Sequence, residues 1–146
     1  MKFMTEGSDL FLIDTNLLVY AAEKDESAKA QKSKELINKC WRVEETLVVS
    51  SQNLSEFVYV TVRKAKLNLQ EAKTFTEFIV DFHGFKKIEY TENTVLSAIE
   101  IMNEFKTSFW DSLLAATMRE NGIFNIYTEN VSDFKIHWIK AVNPLK

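Results

Sequence analysis

Apolar and polar positions follow two rhythms along this chain. Leu10-Phe11-Leu12-Ile13 is a short apolar run that stops at Asp14-Thr15-Asn16, the pattern of a buried strand followed by a capping or functional turn. Asn16 to Glu23 then reads as a short helix. Ser27 to Trp41 sets Ala30, Leu36, Ile37 and Cys40 among many lysines, which predicts an amphipathic helix with a broad wet face. Thr46 to Ser50 is a second buried strand. It leads through Ser51-Gln52-Asn53 into a helix that reaches about Ala65. Asn68 followed by Glu71 is a capping-box pattern and opens a helix to roughly Phe82.

Gly84 ends that helix. Phe85 to Tyr90 suits a third strand, with Lys86 and Lys87 at its edge. Helical spacing returns between Thr91 and Phe105 through Val95, Ala98, Ile99 and Met102. Ser108 opens another helix, closed after Asn121 by Gly122, a good C-terminal cap. Ile123 to Tyr127 reads as a fourth strand, and Ile136 to Val142 contains a fifth. Strands alternating with helices predict an α/β fold with a parallel sheet covered on both faces. The 146 residues contain no repeat, linker or low-complexity segment, so one domain over 1–146 is expected.

Composition narrows the chemistry. Hydrophobic residues make up 46% and charged residues 27%, which is globular rather than disordered. Gly7, Gly84 and Gly122 lie too far apart for a glycine-rich phosphate loop. Two histidines, His83 and His137, and one cysteine, Cys40, exclude a Cys/His zinc cluster and a disulfide framework. The lone cysteine suits a reducing compartment. Met1 to Asp9 lacks the apolar run of a signal peptide, and no apolar stretch is long enough to span a bilayer. A soluble cytoplasmic protein is therefore expected. The net charge of −3 argues mildly against a nucleic-acid partner. That argument weakens if several acids surround a cation, because those acids are already neutralised.

Ligands of open parallel sheets bind beyond the carboxyl ends of the strands, so the acids there deserve inspection. Asp14 follows the first strand directly, and Asp is also a favoured N-cap. Glu56 lies in the helix after the second strand, where it is either a ligand or a solvated acid suited to the helix dipole. Asp111 stands three residues after Ser108, again a capping arrangement. Yet Phe109, Trp110 and Leu113-Leu114-Ala115-Ala116 surround it, and an acid among apolar groups must be paired, hydrogen-bonded or metal-bound. After the fourth strand, Asp133 is the preferred acid, with Glu129 and Asn130 as rivals and Thr128 supplying a hydroxyl. Carboxylates gathered at one sheet edge repel and are costly to desolvate. A divalent cation is the simplest remedy, and an all-oxygen donor set favours Mg²⁺ or Mn²⁺ over zinc. Such a site suits phosphodiester hydrolysis. Arg63, seven residues after Glu56 on nearly the same helical stripe, reads either as a contact for a bound anion or, with Lys64 and Lys66, as a solvated helix end.

Ile13-Asp14-Thr15-Asn16, Ser55-Glu56-Phe57, Phe109 to Ala116, Tyr127 to Phe134 and a late Asn143-Pro144 together resemble a PIN domain, and most of all the VapC-type toxins of prokaryotic toxin–antitoxin systems. The resemblance runs from about Leu10 to Leu145. It implies a three-layer α/β/α domain with a central parallel sheet and Mg²⁺- or Mn²⁺-dependent endoribonuclease activity. Asp14, Glu56 and Asp111 would form the acidic triad and metal site, with Asp133 as the fourth acid. Asn16 would orient the first acid, and Thr128 could hold a metal-bound water. Some relatives carry aspartate where Asn130 stands, so the fourth ligand is either shared or acts through water. Arg63 and Lys64, with Lys86 or Lys87, would guide an RNA backbone. The resemblance also implies a homodimer and a small antitoxin partner. Phe75, Phe78, Ile79 and Phe82 form a stripe that suits either a dimer face or the core.

Two other classes remain to compare. A PIN-like module that binds RNA or protein without cutting would have no use for an acidic pocket facing a polyanion. Phosphoryl transfer to an aspartate also places acids at strand ends, but Asp14-Thr15-Asn16 lacks the second acid of a dehalogenase-like site and the acidic pair of a receiver domain. His83 and His137 read as structural or solvent-facing. The six basic residues from Lys24 to Arg42 read as a solvated helix face. Trp41, Trp110 and Trp138 read first as packing residues; Trp110, beside Asp111, also suits a base-stacking platform.

Overall fold

Residues 10–146 are described by the computed structural model. The reading of Met1 to Asp9 lies outside them. In chain order the elements are β1 (Phe11–Ile13), α1 (Thr15–Ala22), α2 (Ala28–Trp41), β2 (Leu47–Ser50), α3 (Ser51–Arg63), α4 (Leu69–Asp81), β3 (Phe85–Ile88), α5 (Glu92–Phe105), α6 (Phe109–Glu120), β4 (Asn125–Tyr127), a 3₁₀ turn (Val131–Phe134) and β5 (Lys140–Val142). The five strands pair in the order β3-β2-β1-β4-β5, and every pairing is parallel.

The period of two along the strands decides the layers. Leu12, Val48 and Ile126 point to one face, where α5 and α6 cover them with Ala98, Ile101, Leu113 and Met118. Ile13, Leu47 and Val49 point to the other, against Leu17, Leu36, Phe57 and Ile79 of α1, α2, α3 and α4. The result is the expected α/β/α sandwich. No helix among the described residues is long and apolar enough to cross a membrane.

Capping explains most helix boundaries. The Asn68–Glu71 capping box forms as predicted, and Ser50 with Asn53 makes a second one at the start of α3. Ser27 and Ser108 cap α2 and α6. At the end of α6, Gly122 adopts φ 71°. Its N–H reaches the Arg119 carbonyl and that of Ile123 reaches Met118, a Schellman ending that a left-handed glycine accommodates easily.

The differences lie at the sheet edges. The third strand stops at Ile88 and the fourth begins only at Asn125, while the fifth shrinks to Lys140–Val142. The apolar residues Ile136 and Ile139 that suggested a longer strand serve the core from the segment between the 3₁₀ turn and β5. In the Phe75–Phe82 stripe, Ile79 is buried, Phe75 stacks on Phe57 with centroids 4.8 Å apart, and Phe82 lies 4.7 Å from Trp41. Phe78 is 62% exposed, so the stripe is mostly core with one outward ring.

Candidate active site

Strand order reverses at β1, whose neighbours β2 and β4 lead away in opposite directions. The crevice beyond the carboxyl ends of β1 and β4 is where such sheets bind ligands. An open pocket of about 1300 Å³ lies there. Asp14, Glu56, Asp111 and Asp133 all line it, as do Asn16, Asn130 and Lys64.

Asp14 leaves β1 directly and caps α1, so its N-cap reading holds. Oδ1 accepts the Thr15 N–H at 2.8 Å, and Oδ2 accepts the Thr128 hydroxyl at 2.7 Å. Thr128 is buried just after β4 and itself accepts the Asn130 N–H at 3.0 Å. The carboxylate is thus fixed between two neighbouring strand ends. Burial raises its pKa from the ordinary 3.8 to about 6. The two hydrogen bonds oppose that rise, while Asp111 and Glu56 reinforce it through like-charge repulsion.

Glu56 is placed by a relay that begins in a helix cap. Ser50 donates to Asn53 Oδ1 at 2.7 Å and accepts the Asn53 N–H at 3.0 Å. With Oδ1 engaged, Asn53 turns its Nδ2 to the Thr15 hydroxyl, which accepts at 3.0 Å. The single proton of Thr15 then goes to Glu56 Oε1 at 2.8 Å. Thr15 therefore ties the second acid to the cap of α3 while its backbone N–H holds the first.

Asp111 sits in the first turn of α6. Its N–H reaches Ser108 Oγ at 3.1 Å, and Ser108 returns its proton to Asp111 Oδ2 at 2.9 Å. Burial raises its pKa; Ser108 opposes the rise, and Asp133 and Glu56 add to it. Asp133 lies in the 3₁₀ turn after β4, fastened through its main chain: its N–H donates to the Asn130 carbonyl, and its own carbonyl accepts the Thr107 hydroxyl. Glu129, its rival, is committed elsewhere. It accepts the Tyr20 hydroxyl at 2.6 Å, pairs with Lys29, and is absent from the pocket lining.

The hydrogen bonds to the Asp14 carboxylate come from the Thr15 N–H and the Thr128 hydroxyl, and the orienting role expected of Asn16 stays an expectation. Asn16 lines the pocket with Oδ1 enclosed and unpartnered among the described residues. Thr128, whose expected role is to hold a metal-bound water, donates its proton to Asp14 Oδ2. Arg63 is not in the lining. Seven residues carry it about 10 Å along the helix axis from Glu56, and its guanidinium rests 5.7 Å from the Tyr59 ring centre. Lys64 does line the pocket, and so does Lys66, which pairs with Glu23 at 2.6 Å. Lys86 and Lys87 lie on β3 outside the lining, with Lys87 donating to the Phe82 carbonyl. The sequence reading missed the linking role of Thr15, for which the Ser50–Asn53 spacing was the available signal. It also gave no role to Gln52, Tyr59 or Tyr90 and read Lys66 as part of a solvated helix end; all four line the pocket.

The donor set fits a hard divalent cation. It is all oxygen, and Asp14 is a partly buried carboxylate facing two further acids, a situation a cation relieves. The fit is not a preformed cage: among the described residues no three His, Cys, Asp or Glu side chains converge closely enough to hold a metal. Glu56 is held on Thr15 and Asp111 on Ser108, so the acids ring the pocket rather than meeting at one point.

No curated protein sequence matches the chain. Among solved structures it is similar to the Mycobacterium tuberculosis toxin VapC20, described as cleaving the sarcin–ricin loop, with a TM-score of 0.64 and 20% identity over 81% of this chain and 88% of that one. It is similar to Rickettsia felis VapBC2 bound to a promoter DNA fragment, with a TM-score of 0.65 and 18% identity over 92% and 98% of the two chains. A toxin–antitoxin complex from Klebsiella pneumoniae gives 0.64 and 19% over 92% and 97%. These likenesses are to the fold. The sequence itself matches the PIN domain family over residues 11–135, and the chain belongs to that family.

Proposed function

We propose that this PIN domain is a Mg²⁺- or Mn²⁺-dependent endoribonuclease and the toxin of a toxin–antitoxin pair. The reading rests on one observation above all: four acids from four separate segments line a single pocket, and one of them, Asp14, is clamped between two strand ends. Asp14, Glu56, Asp111 and Asp133 would hold the cation, directly or through water. When bound, the cation acidifies water and offsets negative charge on the phosphoryl oxygens.

The chain's own residues do the rest. Thr15 and Thr128 keep Asp14 ionised and oriented, and Thr15 keeps Glu56 turned toward the site. Ser108 fixes the Asp111 carboxylate. Asp133 completes the acidic set or positions the attacking water. Lys64 in the lining, with Arg63 beyond it, attracts the phosphate backbone; such contacts position a strand without reading its sequence. Hydrolysis replaces the bond from phosphorus to the 3′ oxygen by one to the oxygen of water, which leaves a 3′-hydroxyl and a 5′-phosphate.

The solved relatives described as toxin–antitoxin complexes support a small antitoxin as partner. A homodimer is part of the same proposal, with Phe78 and Leu69 as outward apolar groups on and beside the α4 stripe. The first test is Mn²⁺ calorimetry on the wild type and on Asp14→Asn/Asp111→Asn, followed by RNA cleavage with product-end analysis. Binding that vanishes in a folded double variant is expected. Equal binding in both proteins places the metal elsewhere. Metal binding without any RNA cleavage would favour a module that binds without cutting.

A further inference from the structure

Gln52 joins the two helical layers where the acids sit. α3 belongs to the layer that packs on Ile13, Leu47 and Val49, and α6 to the opposite layer, on Leu12, Val48 and Ile126. The sheet lies between them, so helix packing alone does not set their spacing at its carboxyl edge. There Gln52 Nε2 donates to the Trp110 carbonyl at 3.0 Å. Among the described residues this is the one side-chain hydrogen bond that joins a helix of one layer to a helix of the other.

Both ends of this bond lead to an acid. Gln52 stands four residues before Glu56, one turn earlier on the same face of α3. Trp110 directly precedes Asp111 in the first turn of α6. The other contacts of these two acids stay within one layer: Thr15 of α1 holds Glu56, and Ser108 at the start of α6 holds Asp111. Those bonds orient each carboxylate, and neither sets the distance between the two.

Stability does not account for the amide. Gln52 is 7% exposed, and its Oε1 is enclosed with no donor among the described residues. Turning the amide over would set Oε1 against the Trp110 carbonyl, so the bond fixes its orientation. A buried acceptor left without a donor is costly, whereas an apolar side chain of the same shape carries no such cost. Trp110, read from the sequence first as a packing residue, is 59% exposed, with Phe109 edge-to-face against it at 5.2 Å. Its ring is largely open to solvent, and its carbonyl is the point of attachment to α3.

We infer that Gln52 is a positioning residue of the acidic site, a strut that sets the separation of Glu56 and Asp111 by tying the first turn of α6 to α3. This role rests on the metal-dependent reading of the pocket. The acids ring the pocket without converging, so the spacing of its two walls governs how well one cation is shared between them, directly or through water. Metal coordination tolerates errors of only about 0.2 Å, which makes that spacing consequential.

The test compares the wild type with Gln52→Met, which keeps the length and removes the donor, and with Gln52→Leu as a second apolar variant. Thermal unfolding and hydrogen exchange are read in EDTA, and Mn²⁺ affinity by calorimetry. Both variants should keep or exceed the wild-type Tm. The first turn of α6 should exchange faster, with the rest of α6 and α3 unchanged. Mn²⁺ affinity should fall about 10- to 100-fold, the usual effect of losing a group that orients a ligand. Cleavage lost at low Mn²⁺ should return when Mn²⁺ is raised well above the variant's Kd, with KM for the RNA unchanged.

A wild type that binds Mn²⁺ while both variants bind it equally well overturns the strut and leaves the metal site standing. Faster exchange throughout α3 and α6 with a lowered Tm in both variants also overturns it, because Gln52 is then an ordinary packing residue. A wild type that binds no Mn²⁺ sinks the metal reading instead. Exchange then decides the strut alone: a rise confined to the first turn of α6 upholds it, and an unchanged pattern removes it.

Discussion

Asp14→Asn is the most informative single substitution, because the structure predicts opposite effects on stability and on activity. Without metal, burial and two nearby acids raise the pKa of Asp14 from 3.8 to about 6. Holding a proton about a hundredfold more tightly when folded corresponds to ~3 kcal/mol. The sign follows from which state holds the proton. Between pH 4 and 6 the folded protein binds it and the unfolded chain does not, so this group's contribution is intact below pH 4 and is lost as pH rises through 6. At pH 7.5 the wild type carries the full cost of an ionised, partly buried Asp14. Asparagine removes that cost. It gives back about 1 kcal/mol, because its amide cannot accept from both the Thr15 N–H and the Thr128 hydroxyl. The net expectation is a variant more stable by ~2 kcal/mol in EDTA at pH 7.5, about 4–8 °C in Tm. The gain should shrink toward zero or reverse near pH 4. Saturating Mn²⁺ should stabilise only the wild type, by ~2.7 kcal/mol at a hundredfold excess over Kd. RNA cleavage should be abolished. The assay is thermal and urea unfolding of both proteins from pH 4 to 8, with and without Mn²⁺. A stability difference that stays flat across this range would refute the electrostatic argument.

Three further outcomes follow from the same geometry. Thr15→Val keeps the shape but strands Asn53 Nδ2 and frees Glu56, so urea unfolding should show a loss of about 1–2 kcal/mol; a change under 0.5 kcal/mol would mean the relay is idle. Glu56→Gln and Asp111→Asn should each weaken Mn²⁺ binding by calorimetry, and unchanged titrations in both would move the metal elsewhere. Gly122→Ala places a Cβ in open space but at φ 71°, so the cost is conformational alone, about 1 kcal/mol in denaturant unfolding.

The local pattern was enough to specify the layers. Apolar runs such as Leu47-Val48-Val49 cannot be solvated on either face, so they required a sheet covered twice. Helix boundaries were legible wherever a side chain caps a neighbour three residues away, as at Asn68–Glu71 and Ser108–Asp111. The acids were visible because they follow strand ends or interrupt apolar runs. β5 was less legible, since Ile136 and Ile139 face the core without being in a strand, and burial does not distinguish the two conformations.

What tertiary structure decided were the partners of each polar group. Spacing placed Asp14 and Thr128 at two strand ends, but only the β1–β4 pairing, with Ile13 opposite Tyr127, brings the hydroxyl to the carboxylate. The same holds for Thr15 and Glu56, 41 residues apart and hydrogen-bonded directly, with Thr15 tied in turn to Asn53 of a helix cap. Sequence alone prefers Asp133 with Glu129 as a rival, and only the fold commits Glu129 to Tyr20 and Lys29. Hydrogen bonds form over about 3 Å, and a sequence fixes such distances only within a turn or two. Across the sheet they depend on register and crossing, which belong to the whole fold.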